Sequence, residues 1–557
     1  TGVLLLAATL LVCGCPCDQE EDTTPPGPIT MFTAIPGDGQ VQLSWFNPVD
    51  ADFEGVILRR NAGANPTLDT VGTTIYDGDA SQFLDTGLLN GTTYHYALFA
   101  YDEVPNYSEG ALAFAMPAAG AEGEGEGEGE GEGEGEGEGL VEVPDPLSGD
   151  NPRYALPGTA VPAAGQAVAD ATFHTTQTRV VAGERVRQEY SRVDPFNADQ
   201  SMILLLALAQ GEWRVYGTGV VPYDQPTNLI GVVDVEEPRW DPTDPAVLWG
   251  IRGFELVTVD LSTLQTTVVK DFAADAALAS ILAQYPDLYR ITMKDEGESS
   301  IDKRYWAFLI QGSAEDYRAR YLFTWDRQTD SILGLYTLPA SESIIDWVGM
   351  SPLGTWVLIG GDWDNGGELA GLVMANRELT VFHQLDYATA HADVGLDVDG
   401  NEVLVMQGVR TDNVDLLPLS LATTPITDEG GSYAGTNRTP LLRLYYDAES
   451  PLGLNSGVHV SCNYSGWCVV STYIEPGIAE QNWLDRKIVL VRLDPAHPRV
   501  FYLAQVYGTR GAYWEETQAT ISNDGSRVVW ATNWNQHVGD ERVWVMQLDM
   551  PAGWSIP

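Results

Sequence analysis

From about residue 150 onward the apolar positions fall in short runs, rich in Val, Ile, Leu and Trp and each bounded by polar turn residues. Runs this short, flanked by Gly, Asn, Asp and Pro, predict strands. Seven of them follow at once on a tight polar turn. They read FNADQSMILL from Phe196, RWDPTDPAVLW from Arg239, SSIDKRYWAFL from Ser299, MSPLGTWVLI from Met350, LDVDGNEVLV from Leu396, CNYSGWCVV from Cys462 and ISNDGSRVVW from Ile521. Taking Gln200, Pro245, Lys303, Gly354, Gly400, Gly466 and Gly525 as markers, the spacings are 45, 58, 51, 46, 66 and 59 residues. Each copy predicts two strands joined by the marker turn.

A sheet-forming unit that recurs at this period is the signature of a β-propeller. Residues 150–557 are therefore expected to form seven blades, each of strands A to D, with the marker turn between A and B. The seventh copy runs out at VWVMQLDMP, after its strand C. Its outer strand has to come from elsewhere, and FHTTQTRVV, Phe173 to Val181, is placed to close the ring. Fifteen of the sixteen Trp lie in this region. Trp249, Trp306, Trp325, Trp356 and Trp530 sit within apolar strands and are assigned to the core.

Residues 28–117 show a different pattern of alternating strands: QVQLSW ending at Trp45, GVILRR from Gly55, and FLDTGLLNGTTYHYALFAYD from Phe83. This stretch resembles a fibronectin type III domain. The resemblance implies a β-sandwich, with Leu88 to Tyr94 as its tyrosine corner and Trp45 as its core Trp. No Arg-Gly-Asp tripeptide is present. Residues 118–149 contain Glu and Gly in strict alternation, Glu122 to Gly139, which can neither bury a core nor nucleate a helix. Like charges extend such a chain, so an acidic linker is expected. The expected fold class is thus all-β: a fibronectin type III-like β-sandwich, a Glu-Gly linker and a seven-bladed β-propeller.

Ahead of these, GVLLLAATLLV is an apolar run of 11 residues, too short to span a bilayer but suited to a signal peptide. It leads into Val12-Cys13-Gly14-Cys15, which looks like a bacterial lipobox with Cys15 as the lipidated residue. Residues 1–17 are read as the signal and 18–27 as a tether. An exported lipoprotein at the outer membrane or cell surface is expected, held by its lipid anchor only. Simple secretion is the alternative.

Charge narrows the partners. The chain carries 79 acidic and 29 basic residues, net −50. Nucleic acid would be repelled, and a solvated monomer is expected. Cys462 and Cys468 flank a tight turn and are a candidate disulfide in an exported protein, a buried free pair being the alternative.

ISNDGSRVVW and LDVDGNEVLV look like the Ser-x-Asp-Gly hairpins of Tol-type periplasmic propellers, where the turn is structural. LDVDGNE also has a superficial likeness to a calcium loop. A further resemblance, to propeller polysaccharide lyases, rests on scattered positions: His391, His459, Tyr190 and Arg192. It implies His, Tyr and Arg on the propeller face, with a metal ion in some members. The chain departs from that pattern in having no His between His174 and His383.

Propeller geometry gathers the A-strand openings on one face. Tyr190, Arg192, Glu236, Glu237, Asp346, His391, Asp393, His459 and Glu516 are expected to ring the channel mouth. Trp363, Trp483 and Trp534, in loops between B and C, are expected above them as stacking platforms for a sugar. His391, Asp393 and His459 are also a candidate zinc set by ligand type. Two functions follow. One is a non-catalytic face that binds a glycan or protein through Glu237, Asp346, Glu516 and the three Trp. The alternative is a lyase acting on a uronate-containing glycan, with Tyr190 or His459 as base and Arg192 neutralising the carboxylate. No Gly-x-Ser-x-Gly elbow or phosphate-binding loop is present.

Overall fold

The computed structural model describes residues 24–117 and 140–554, apart from 38, 49, 51, 63–65, 67, 69, 91, 105, 109, 116, 314–317, 340–344, 362–368, 387–390, 409–410, 422–427, 430–431, 434–436, 446–455, 478–481, 538–540 and 552–553. The signal run, Cys15, the alternating Glu-Gly segment and Trp363 lie outside the described residues. The chain divides into two compact units, 1–133 and 134–557. Both are built almost wholly of antiparallel strands.

The first unit packs two sheets on one core. Thr30–Gly37, Gln40–Phe46 and Gln82–Thr86 form one; Thr73–Gly78, Phe53–Ala62, Tyr94–Asp102 and Ala111–Ala115 form the other, in that order. Alternation decides the faces: along Gln40–Phe46 every second side chain, Val41, Leu43 and Trp45, is buried. They meet Val56, Leu58, Tyr96 and Leu98 from the facing sheet. The Tyr94 hydroxyl accepts the Leu89 N–H at 3.0 Å, which ties the crossing loop to its own strand.

The second unit holds seven sheets in chain order. They lie within 186–233, 236–271, 288–337, 345–386, 392–443, 456–505 and 520–549. In each, the marker falls between the first and second strands. Its conformation explains the recurring Gly: φ is +72° at Gly354, +78° at Gly400, +81° at Gly466 and +69° at Gly525. That left-handed region costs glycine nothing. Gln200 and Lys303 adopt it too, at +60° and +57°. Their turns close the same way, with the Gln200 N–H on the Asn197 carbonyl and the Lys303 N–H on the Ser300 carbonyl, both at 2.9 Å. The 66-residue spacing before Gly466 contains an inserted two-stranded hairpin, Asp428–Glu429 with Ser432–Tyr433. The 58-residue spacing contains an α-helix, Ala276–Gln284, capped by the Asp275 carboxylate on the Ala277 N–H.

Hydrogen bonds link each sheet to the next. Trp240 Nε1 donates to the Pro195 carbonyl, Glu237 accepts the Met293 N–H, and the Met350 N–H donates to the Glu298 carbonyl. Glu402 accepts the Leu353 N–H, Asp393 accepts the Cys462 N–H, and Ser471 Oγ accepts the Ala519 N–H. From the seventh sheet the Asn523 N–H returns to Asp194 of the first at 2.7 Å. The strand missing from the seventh sheet is supplied by Thr175–Arg179, which pairs with Trp544–Asp549 in the register Gln547 to Thr178. Ala167–Asp170 adds a fifth strand beyond it.

Residues ahead of 150 also pack on this unit. The Val143 N–H donates to the Val500 carbonyl and the Tyr502 N–H to the Val141 carbonyl, both at 2.8 Å. Residues 141–143 therefore cover the outer edge of the sixth sheet, and Glu142 clasps Arg499 with both oxygens. The chain from there to residue 166 runs as a strap over the fifth, sixth and seventh sheets. Ser148, Tyr154, Thr159 and Pro162 give it their carbonyl anchors.

Candidate functional site

Four of the residues read as mouth residues converge. The Tyr190 hydroxyl lies 3.0 Å from His391 Nδ1. The His391 and His459 rings stand 4.2 Å apart between centroids, and Tyr190 meets His459 edge-on at 5.4 Å. His459 Nε2 is 2.8 Å from Glu516 Oε2. The strand Ser456–Ser461, the residue just before Ala392–Leu396, the segment ahead of Thr520–Ile521 and the loop after Val186–Arg187 supply these groups, so only the tertiary fold brings them together.

Electrostatics fixes their protonation. Burial, with His459 alongside, pushes His391 down to about 3. Burial lowers His459 as well, against the pull of Glu516. Both imidazoles are neutral near pH 7. Burial opposes ionisation of Glu516, but the hydrogen bond from His459 and the charge of Arg510 outweigh it and hold the carboxyl down to about 2. Arg510 Nε is 2.9 Å from Glu516 Oε1, and the Tyr473 hydroxyl donates to that oxygen at 3.2 Å. His459 thus donates Nε2–H to a carboxylate and keeps Nδ1 as an acceptor. That atom is buried with no hydrogen-bond partner. Burial raises the Tyr190 phenol well above its usual range, so it is the donor to His391.

Arg192 lies beside this cluster, its guanidinium stacked 4.0 Å from the Trp347 ring and 5.7 Å from Tyr190. Nη2 reaches Glu296 at 3.3 Å. Nε and Nη1 are buried without partners. Unpaired guanidinium N–H groups are costly inside a protein, and a carboxylate is their natural complement. Burial pushes Glu296 up to about 7, with Arg192 opposing and Asp346 and Asp295 adding to the rise.

The other predicted residues go elsewhere. Glu237 turns to the third sheet, where it accepts from the Thr292 hydroxyl and the Met293 N–H. Asp346 is exposed on its strand near Glu296. Asp393 spends its oxygens on the Cys462 and Val394 N–H groups, at 2.6 and 2.8 Å, and does not join the imidazoles. The zinc set is therefore not assembled: among the described residues no group of three or more His, Cys, Asp or Glu is arranged to hold a metal ion. The calcium likeness fails for a similar reason. Asp397 is committed to its own turn, accepting from the Asp399 and Asn401 N–H groups.

The sugar platform is also corrected. Trp483 is fully buried and Trp534 nearly so. Trp483 Nε1 donates to the Ser148 carbonyl and to the Tyr445 hydroxyl. Trp534 stacks on Tyr507 at 4.1 Å and donates to the Thr159 carbonyl. Both rings anchor the strap. Sequence alone could not show this, because the strap lies some 330 to 375 residues away from them. Trp483→Phe, which keeps an aromatic ring and removes the donor, is expected to cost about 1–3 kcal/mol, since the Ser148 carbonyl and the Tyr445 hydroxyl then keep only each other. Faster proteolysis within 148–159 than in the wild type would check it; an unchanged cleavage rate would deny the anchoring role.

Cys462 and Cys468 form a disulfide across the marker turn of the sixth sheet. Glu296, Trp347, Tyr473 and Arg510 belong to the site and carried no local motif. The one hint was Trp347 beside Asp346.

No known family matches the chain, and no curated protein does. Several solved structures match over a small part of it. A spore cortex lytic enzyme, SleM, of Clostridium perfringens is 15% identical, with 16% of this chain and 28% of that one covered, at a TM-score of 0.14. The structure FN3tt is 23% identical, covering 17% of this chain and 97% of that one, at 0.14. The fibronectin type-III domain of human fibronectin type III domain containing protein 3 is 16% identical, covering 18% and 94%, at 0.16.

Proposed function

We propose that this chain is an exported lipoprotein whose second unit is a seven-bladed β-propeller, and that the mouth around Arg192 binds a carboxylate-bearing glycan or peptide without altering it. The first unit, with its Tyr94 corner and Trp45 core, would be a fibronectin type III-like spacer. The propeller reading rests on seven sequential sheets, the hydrogen bonds from the seventh back to the first, and the pairing of Thr175–Arg179 with Trp544–Asp549. Export fits a disulfide in the sixth sheet. Among the described residues no helix is long and apolar enough to cross a membrane.

The observation that carries the binding reading is Arg192, with two buried N–H groups unpartnered beside a neutral imidazole acceptor. A carboxylate would satisfy the first and a hydroxyl the second. The net charge does not forbid this, since among the described residues Glu296 is the acid paired with Arg192 and is itself easily protonated.

Calorimetric titration with oligouronates and with neutral oligosaccharides of the same length tests it. Uronates alone are expected to bind, and Arg192→Met to weaken them roughly 10- to 100-fold, the worth of a charged hydrogen bond. Protonating Glu296 frees Arg192, so affinity is expected to rise as pH falls from 8 through about 7. Equal affinity for neutral sugars, or no pH dependence, would remove the reading.

The contact between Tyr190 and His391 beside the His459–Glu516 pair favours one second reading, a lyase. There a neutral imidazole would take the proton next to the uronate carboxylate, and the Tyr190 hydroxyl would protonate the leaving oxygen. Ultraviolet absorbance from new C=C bonds separates the two, since a binder gives a flat trace.

A further inference from the structure

The outer edges of the seven sheets are not treated alike. That of the sixth is covered by residues 141–143, and that of the seventh is extended by Ala167–Asp170. The first sheet ends on Leu229–Val233, sequence LIGVV, and among the described residues no further strand pairs with it. Among the outer strands of the seven sheets this one alone has no polar residue. Natural edge strands are usually guarded by charge, proline or a covering segment.

Its side chains stand in solvent: Leu229 is 43% exposed, Ile230 36% and Val232 48%. Leu264 of the second sheet, 43% exposed, continues the apolar surface, for a Cβ on Gly231 would lie 2.5 Å from its side chain. Val268 and Val269 follow on the next outer strand, and Val220 precedes. Together these offer on the order of 500 Å² of apolar surface per copy, at the upper end for a monomer.

We propose that Leu229–Val233 pairs antiparallel with the same strand of a second copy, joining two four-stranded sheets into one of eight. Twice that apolar area, with the paired backbone added, reaches the roughly 1,000 Å² at which specific interfaces begin. A two-fold axis uses both open edges and so stops at the dimer. Because the strand carries no charge, the only electrostatic opposition comes from the net charge of −50 on each chain. Salt screens that repulsion without weakening apolar contact, so the dimer tightens as salt rises, against the monomer expected from composition.

Sedimentation equilibrium on the whole chain tests this, with Ile230→Lys and Val232→Lys as variants and Leu353→Lys, an exposed Leu in the fourth sheet, as control. Wild type and control are expected to dimerise more tightly at higher salt, and each edge variant at least tenfold more weakly. A wild type that stays monomeric at about 100 μM, or a dimer indifferent to both edge variants, overturns the proposal. So does vesicle binding lost in the variants of a monomeric wild type, which would assign the strand to a lipid surface. Should the variants not fold, hydrogen exchange decides with the wild type alone. Amides of Leu229–Val233 must gain protection as concentration rises, and their failing to do so overturns the pairing.

Discussion

Arg239→Met is expected to destabilise the second unit by about 3–5 kcal/mol, the cost of removing the buried partner that two acids and two carbonyls share. The Arg239 side chain is buried. Nη1 meets Glu189 at 2.9 Å, Nε meets Glu298 at 2.8 Å, and Nη2 donates to the carbonyls of Asp295 and Gly297. The residue thereby fastens the 295–298 loop of the third sheet to the first. Loss of Arg239 strands Glu189 and the two carbonyls, which methionine cannot satisfy, while Glu298 keeps Lys303 at 3.7 Å. Chemical denaturation at pH 7 reads the effect, and a change under about 1 kcal/mol would show that water takes over these groups.

The pH dependence supplies an independent sign. Burial raises Glu189 to about 8, with Arg239 opposing. Between the ordinary carboxylate range and pH 8 the folded chain holds a proton that the unfolded chain has lost. Stability contributed by this group is present at low pH and declines as pH climbs through that window. Without Arg239 the Glu189 pKa rises further and the decline extends upward. The deficit of Arg239→Met should then be larger at pH 9 than at pH 6. Arg239→Met with Glu189→Leu should recover part of it, because an apolar pair avoids the desolvation cost.

How much of this was legible in the chain depends on the range of the interaction. The marker turns could be read because each is closed by bonds within a few residues, and the left-handed φ at Gly354, Gly400, Gly466 and Gly525 admits few side chains. Gln200 and Lys303 adopt it without Gly, so their copies were recognised by the run that follows. The fourth strand of the seventh sheet could be read because a sheet of three strands leaves an apolar edge on Trp544–Asp549. The mouth was legible only in part. Tyr190, Arg192, His391, His459 and Glu516 were singled out as openings of first strands; four of them meet and Arg192 lies beside them, although Tyr190 and Arg192 come after Val186–Arg187. Trp483 and Trp534 were misplaced because a Trp in a loop looks the same whether it faces a ligand or a strap from residue 148. Asp393 shows the same limit: its bond from the Cys462 N–H is invisible until the fifth and sixth sheets are side by side.

Val180→Pro is expected to unfold the second unit or lower its stability by about 5 kcal/mol, and the comparison with Val180→Ala shows why. Val180 directly follows the closing strand and is fully buried. Its N–H donates to the Val545 carbonyl at 3.0 Å, and its carbonyl accepts the Tyr223 N–H at 2.7 Å. One residue therefore joins the last sheet to the segment that follows the first sheet's third strand. Alanine keeps both bonds and loses two methyl groups, worth about 2 kcal/mol when buried. Proline loses the donor as well and adds about 3 kcal/mol or more. If the sheets form a closed ring, the damage cannot stay local, because the seventh sheet has no other fourth strand. Thermal melting should then show one cooperative transition shifted as a whole. A variant in which only the seventh sheet loses hydrogen-exchange protection, while the first six keep theirs, would mean that the sheets stand in an open row and that the mouth at Arg192 is not held by closure.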